Sequence, residues 1–346
     1  MTSSINNNRK NIAWINTSRA ILIFLVYLCH SQSRFGIWLP YEQSLVQPFF
    51  VNAFFFISGY LLIKKHFQED EVKLSGSQWF KIGRGKSLIY SILYKIALPS
   101  FIITSVMYLP KQIIRGIDGI NYKEMIECTI GGCTMWFTSA LVVAELILFV
   151  ALFIKRGNLL YLWIVGVIFL IAALCLNSVH PGAFPWFYKS GMLAILPIVA
   201  GGTYWKFENV IDKNMKEIFC VGTVIVYVVV ILFANEYIKY SCEYIRVSLG
   251  GFIAFCVSTL LLVHYAKKVR KIEWVDYVGR NTLILYLFSG ALPETIGIIV
   301  HKFLPGLQYT GVILVTLVSF SLGVVLTFIV NKYMPWLLDL RLLKKK

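Results

Sequence analysis

Arg19 and His30 stand eleven residues apart in a run that is otherwise almost wholly hydrocarbon, from Ala20 to Cys29. On a helix, eleven residues return to within about 20° of the starting direction and climb roughly 16 Å, so the two side chains share a side at different depths. Ionisable groups in an apolar span are expensive to bury and are read first as functional. A neutral imidazole, with an ordinary pKa of about 6.5, accepts a hydroxyl proton near neutral pH and returns it to a leaving group. It can also act as a nucleophile itself. A guanidinium stays protonated and cannot be a base, which leaves it to position an anionic cofactor or to stabilise developing negative charge. The plainer alternative is a pair that merely hydrogen-bonds neighbouring helices.

Other residues support or compete with this pair. Glu145 lies nine residues beyond Trp136, about 14 Å into an apolar run; it pairs with Arg19 or Lys95, or stays neutral. Ser58 and Gly59 lie in a second apolar run, where small residues let helices approach closely. Pro293 and Glu294 mark a kink beside a polar group. The stretch 64–87 mixes Glu69, Asp70 and Glu71 with Lys64, Lys65, Lys73, Lys81, Arg84 and Lys86, and Lys95 follows four residues before Pro99. These cations are either ordinary loop charge or a cradle for a cofactor's phosphates. Trp136, and Trp186 and Tyr188 near His180, suit stacking on sugar rings, or equally an interfacial aromatic belt. The seven cysteines show no metal or redox spacing, so no metal is expected, while a disulfide among Cys128, Cys133 and Cys242 stays open.

Positioning such residues requires membrane helices. With 346 residues, 58% hydrophobic and only 14% charged, the chain reads as all-α, a polytopic integral membrane bundle. Apolar runs of span length predict ten transmembrane helices at about 12–30, 46–63, 90–109, 135–154, 159–176, 190–204, 218–233, 247–265, 282–300 and 312–330. The polar first ten residues and the lack of a small-residue cleavage site predict that the first span stays in the mature protein. No repeat or flexible linker divides the chain, so 1–346 is expected to be one domain, with tails at 1–11 and 331–346. Alternate loops carry 23 and 8 Lys and Arg residues, which predicts that both termini are cytoplasmic and that His30 lies near the outer face. The net charge of +16 is then a loop signature, and no nucleic acid partner is expected.

Four segments together carry a resemblance. They are Arg19 to His30; Phe54, Phe55, Ser58, Gly59, Tyr60 and Leu61; Trp136, Phe137, Ala140 and Leu141; and Gly279, Thr282, Leu283, Tyr286 and Leu287. With these the chain resembles the membrane acyltransferase-3 family of polysaccharide and lipid O-acyltransferases. The resemblance implies transfer of an acyl group, usually acetyl, from cytoplasmic acetyl-CoA or another acyl-CoA to a hydroxyl of a cell-surface or lipid-linked glycan. His30 would be the base and Arg19 would align the coenzyme. Glu145, Ser58, Tyr286 and Glu294 would give polar support, and Lys81, Arg84, Lys86 and Lys95 would contact the coenzyme. Trp136, Trp186 and Tyr188 would meet the acceptor. The implied place is the inner or plasma membrane. The chain departs from the pattern in lacking paired arginines before Pro99 and in carrying Ser289 where relatives often have histidine. The alternative function is a transporter or flippase for a glycan or anion, for which buried charges and kinked helices are equally natural.

Overall fold

In the computed structural model, the described residues are 2–37, 46, 49–67, 72–114, 121–179, 185–216, 220–225, 249–304 and 306–337. Every regular element among them is helical. The chain runs through α1 (Thr2–Phe35), α2 (Phe50–His66), α3 (Gly76–Lys81), α4 (Arg84–Tyr90), a π-helical segment (Ser91–Ala97) and α5 (Leu98–Ile114). It continues through α6 (Tyr122–Cys128), α7 (Trp136–Ile154), α8 (Leu159–Val179) and α9 (Tyr188–Asn214). The last helices are α10 (Leu249–Lys268), α11 (Glu273–Arg280), α12 (Thr282–Ser289), α13 (Ala291–Phe303) and α14 (Tyr309–Tyr333).

Among the described residues, six stretches are long and apolar enough to cross a membrane: Ala13–Ser33, Arg84–Tyr108, Trp136–Ile154, Leu159–Ser178, Gly250–Lys268 and Tyr309–Tyr333. The pair α12 and α13, bent by 44° at Gly290, makes a seventh if it is one broken span. These correspond to seven of the ten expected runs. Of the other three, α2 has 17 residues, about 26 Å of helix against roughly 30 Å of hydrocarbon. The run at 190–204 forms only the first part of α9, which goes on through Lys206, Glu208 and Asp212. The run at 218–233 lies mostly outside the described residues. On α8, Leu160, Ile164, Val167, Ile168, Ile171 and Leu174 are all exposed. Their spacing draws one apolar stripe down the helix, a surface for lipid.

The chain forms two compact units, one drawn from Met1–Phe54, Asp212–Lys239 and Ser248–Met334, the other from Phe55–Ile211, Tyr240–Val247 and Pro335–Lys346. In the first, α1 is the hub and packs against all five helices from α10 to α14. Leu22, Ile23 and Tyr27 are fully buried. Gly279 of α11 meets the main chain of α1 so closely that a Cβ there would stand 2.0 Å from Asn16 O. Further along, the Tyr27 hydroxyl donates to Leu285 O at 3.0 Å, and Phe320 of α14 meets the Phe24 and Tyr27 rings edge-on at 5.3 and 5.5 Å. At the far end Phe35 lies edge-on to His301 of α13, 6.4 Å between ring centres.

In the second unit α2 lies main chain to main chain on α9, where a Cβ at Gly59 would stand 1.8 Å from Ile198 O. Tyr60 donates to Glu208 Oε2 at 2.8 Å beside them. Ser75 starts α3 with a capping box, its side chain accepting from Gln78 N while Gln78 accepts from Ser75 N. Behind it Trp79 is fully buried, stacked on Phe149 of α7 with ring centres 5.7 Å apart. Arg156 was counted with the loop charges, yet it is buried. Its guanidinium lies 4.8 Å from the Trp79 ring centre and donates to Leu152 O at 2.8 Å and to Leu74 O. A cation at a helix C-terminus satisfies carbonyls that no amide reaches, which explains why this charge is held inward. Cys128 and Cys133 are free thiols, and Cys242 lies outside the described residues.

Candidate active site

The first unit holds Arg19, His30, Tyr286 and Glu294; the second holds Ser58, Lys81, Arg84, Lys86, Lys95, Trp136, Glu145, Trp186 and Tyr188. Arg19 and His30 are both partly exposed on α1. Arg19 has no hydrogen-bond or ion-pair partner among the described residues, although five helices pack on α1. A guanidinium carries five N–H donors in a planar fork, and leaving them unspent within a span is costly unless something else fills them.

His30 lies between two fixed levels, the Tyr27–Leu285 bond and the Phe35–His301 ring contact. Over the same interval the α12–α13 pair bends at Gly290 and carries Tyr286 and Glu294, both half-buried. Sequence and packing thus place the histidine, a tyrosine and a carboxylate in one stretch of one unit. Ser289 is buried and donates to Tyr286 O at 2.8 Å.

Toward the other end of α1, one turn before Arg19, a polar cluster escaped the sequence reading. Asn16 Nδ2 donates to Asp276 Oδ1 at 2.7 Å, and the Asp276 Oδ2 pairs with Arg280 at 3.0 Å. Asn331 of α14 donates to Asn281 Oδ1 at 2.8 Å and to the Tyr277 hydroxyl at 3.2 Å. Lys267 reaches Asp212 at 2.6 Å and stands over the Trp14 ring at 5.4 Å. The Asp276-to-Arg280 spacing is an i,i+4 pair legible in the sequence; its bond to Asn16 is not.

In the second unit Lys81, Arg84 and Lys86 are exposed on α3 and α4, whose seat on the molecule is Trp79. Lys95 is half-buried in the π-helical segment, a rare geometry that occurs mostly as short insertions within α-helices and is frequent at functional sites. Glu145 is buried at 9% exposure with no hydrogen-bond or ion-pair partner among the described residues. Ser58 is half-buried beside Gly59. Trp136 meets Phe137 edge-on at 6.2 Å, and Lys189 Nζ stands over the Tyr188 ring at 5.8 Å. His180 lies outside the described residues. No group of three or more His, Cys, Asp or Glu that could hold a metal occurs among the described residues.

A family model described as an acyltransferase domain, that of the acyltransferase-3 family, matches residues 12–332 and so takes in both units. Comparison with curated proteins and with solved structures found no match. The family model covers nearly the whole chain, including the span that carries Arg19 and His30, and the protein therefore belongs to the acyltransferase-3 family as a multi-pass membrane protein.

Proposed function

We propose that the protein is a plasma-membrane (inner-membrane) O-acyltransferase that moves an acetyl group from cytoplasmic acetyl-CoA to a hydroxyl of a cell-surface or lipid-linked glycan. The observation that carries this reading is the helix α1, with a guanidinium that has no partner among the described residues and an imidazole on one side. The roughly 16 Å rise between them means that both cannot touch the same carbonyl. Arg19 holds the coenzyme, and His30 acts at the thioester. His30 takes the acceptor's hydroxyl proton as that oxygen attacks the carbonyl carbon. The carbon–sulfur bond breaks, and the proton passes to the departing thiolate. Lys81, Arg84, Lys86 and Lys95 supply charge-assisted bonds to the phosphates. Glu294 and Tyr286 orient the imidazole; Glu145 and Ser58 are polar groups within the second unit's helices.

The test is transfer from radiolabelled acetyl-CoA to surface glycan in membranes carrying His30→Gln. Glutamine keeps a hydrogen-bonding side chain but cannot take up a proton. Loss of about 10²- to 10⁴-fold in rate is expected, with coenzyme A binding unchanged. Near-normal transfer by a well-folded variant would refute the general-base role.

A further inference from the structure

The apolar run of α10 ends at Lys268, and α11 begins at Glu273. All seven residues from Lys268 to Trp274 are exposed. Three of them are cations (Lys268, Arg270 and Lys271) and one is an acid (Glu273). The other three are apolar, Val269 at 46%, Ile272 at 45% and Trp274 at 65% exposure.

Contacts inside the first unit fix the level of this segment. Lys267 stands over the Trp14 ring at 5.4 Å, Asn16 donates to Asp276 Oδ1 at 2.7 Å, and Asn331 donates to the Tyr277 hydroxyl at 3.2 Å. Trp14, Lys267 and Asn331 each belong to the end turn of a stretch able to cross a membrane: Ala13–Ser33, Gly250–Lys268 and Tyr309–Tyr333. The segment therefore lies where three spans leave the hydrocarbon.

Neither side of that boundary suits it. In bulk water a largely exposed Trp274 gains nothing from its ring, and in hydrocarbon Arg270 and Lys271 are costly. The headgroup layer satisfies both, because cations reach phosphates there while apolar side chains and tryptophan sink toward the acyl boundary. The cations are also available. Arg270 has no hydrogen-bond or ion-pair partner among the described residues. Asp276 is already paired with Arg280 at 3.0 Å, and Lys271, more than half exposed, stands 3.9 Å from it.

A soluble anion would use the charges and leave Val269, Ile272 and Trp274 in water. A zwitterionic lipid would use the apolar residues and bring a cation of its own against Arg270. We propose that Lys268–Trp274 is a headgroup site for an anionic phospholipid, with Arg270 and Lys271 on the phosphate oxygens and Val269, Ile272 and Trp274 in the glycerol and upper acyl region. The opposite face of α11 holds α1 through Asp276 and Gly279. A lipid seated here braces the end of α1 that carries Arg19. The site stands whether or not the protein transfers acyl groups.

The experiment is native mass spectrometry on the purified full chain in neutral detergent, titrated with dioleoylphosphatidylglycerol or dioleoylphosphatidylcholine. Phosphatidylglycerol should bind more tightly. Arg270→Gln combined with Lys271→Gln should weaken it roughly twentyfold, at about fivefold per charge, and leave phosphatidylcholine unchanged. Lys123→Gln combined with Lys302→Gln removes the same charge from exposed positions elsewhere and should have no effect. Trp274→Ala should weaken both lipids, and Trp274→Phe should restore part of the loss. Equal affinity for the two lipids overturns the proposal, and so does an equal loss in the two double variants, which would mean that net charge alone is felt. Phosphatidylglycerol binding indifferent to Trp274→Ala overturns it as well. Displacement of the lipid by an equal concentration of glycerol 3-phosphate or coenzyme A would make this a soluble-anion site instead.

Discussion

Arg19 is the side chain whose surroundings say most about its work. It shares α1 with Asn16, one turn earlier, and Asn16 has a partner in Asp276 at 2.7 Å, while Arg19 has none among the described residues. A structural arginine in an apolar span is paired; one awaiting an anionic or carbonyl ligand is not. Arg19→Lys separates charge from shape, because lysine keeps the charge and loses the planar fork. If the coenzyme is held by two parallel N–H bonds, KM for acetyl-CoA should rise at least about tenfold with little change in kcat. Steady-state kinetics in nanodiscs measure this, and an unchanged KM would remove Arg19 from the coenzyme site.

At the scale of elements, two helix crossings depend on glycine, and both are main chain against main chain. The α1–α11 crossing fixes the end of α1 from which Arg19 projects. A methyl group at Gly279 would come within 2.0 Å of Asn16 O, and backbone cannot yield as a side-chain tip can. Gly279→Ala should therefore destabilise by about 1–3 kcal/mol or more. Gly290, at the bend of the α12–α13 pair, has no atom within 4 Å of its would-be Cβ and a φ of −81°. Gly290→Ala should be neutral or stabilising by about 0.4–1 kcal/mol. Thermal unfolding of both variants in one detergent decides it; equal effects would mean that the α1–α11 contact is not as close as described. Trp79 does for the basic helices α3 and α4 what Gly279 does for α11, giving Lys81, Arg84 and Lys86 a fixed seat through Phe149 and Arg156.

At the scale of the whole molecule, the apolar stripe on α8 and the six candidate spans make a membrane protein, and direction across the membrane remains a matter of charge. The loop bias of 23 to 8 Lys and Arg keeps its sign with Arg156 removed from the count as a buried cap. Reporter fusions after Lys271 should read cytoplasm and those after Lys123 outside. The inverse pattern would place His30 on the cytoplasmic side and overturn outward delivery of the acyl group.

The amino-acid sequence determined whatever depends on local period and composition. Apolar runs of span length gave the helices, because in lipid each helix must satisfy its own backbone. The eleven-residue step from Arg19 to His30 needs only 3.6 residues per turn to put both on one side. The family's segments are local as well, and they led to the family that matches residues 12–332. Tertiary structure alone decided what rests on pairing between distant segments. Asn16 and Asp276 are 260 positions apart, and neither residue announces the other. Arg156 looked like loop charge until Trp79 and Leu74, from an earlier stretch of chain, closed over it. Ser100, Thr104 and Thr138 come together beside Trp186 only once α5, α7 and the turn before α9 have packed.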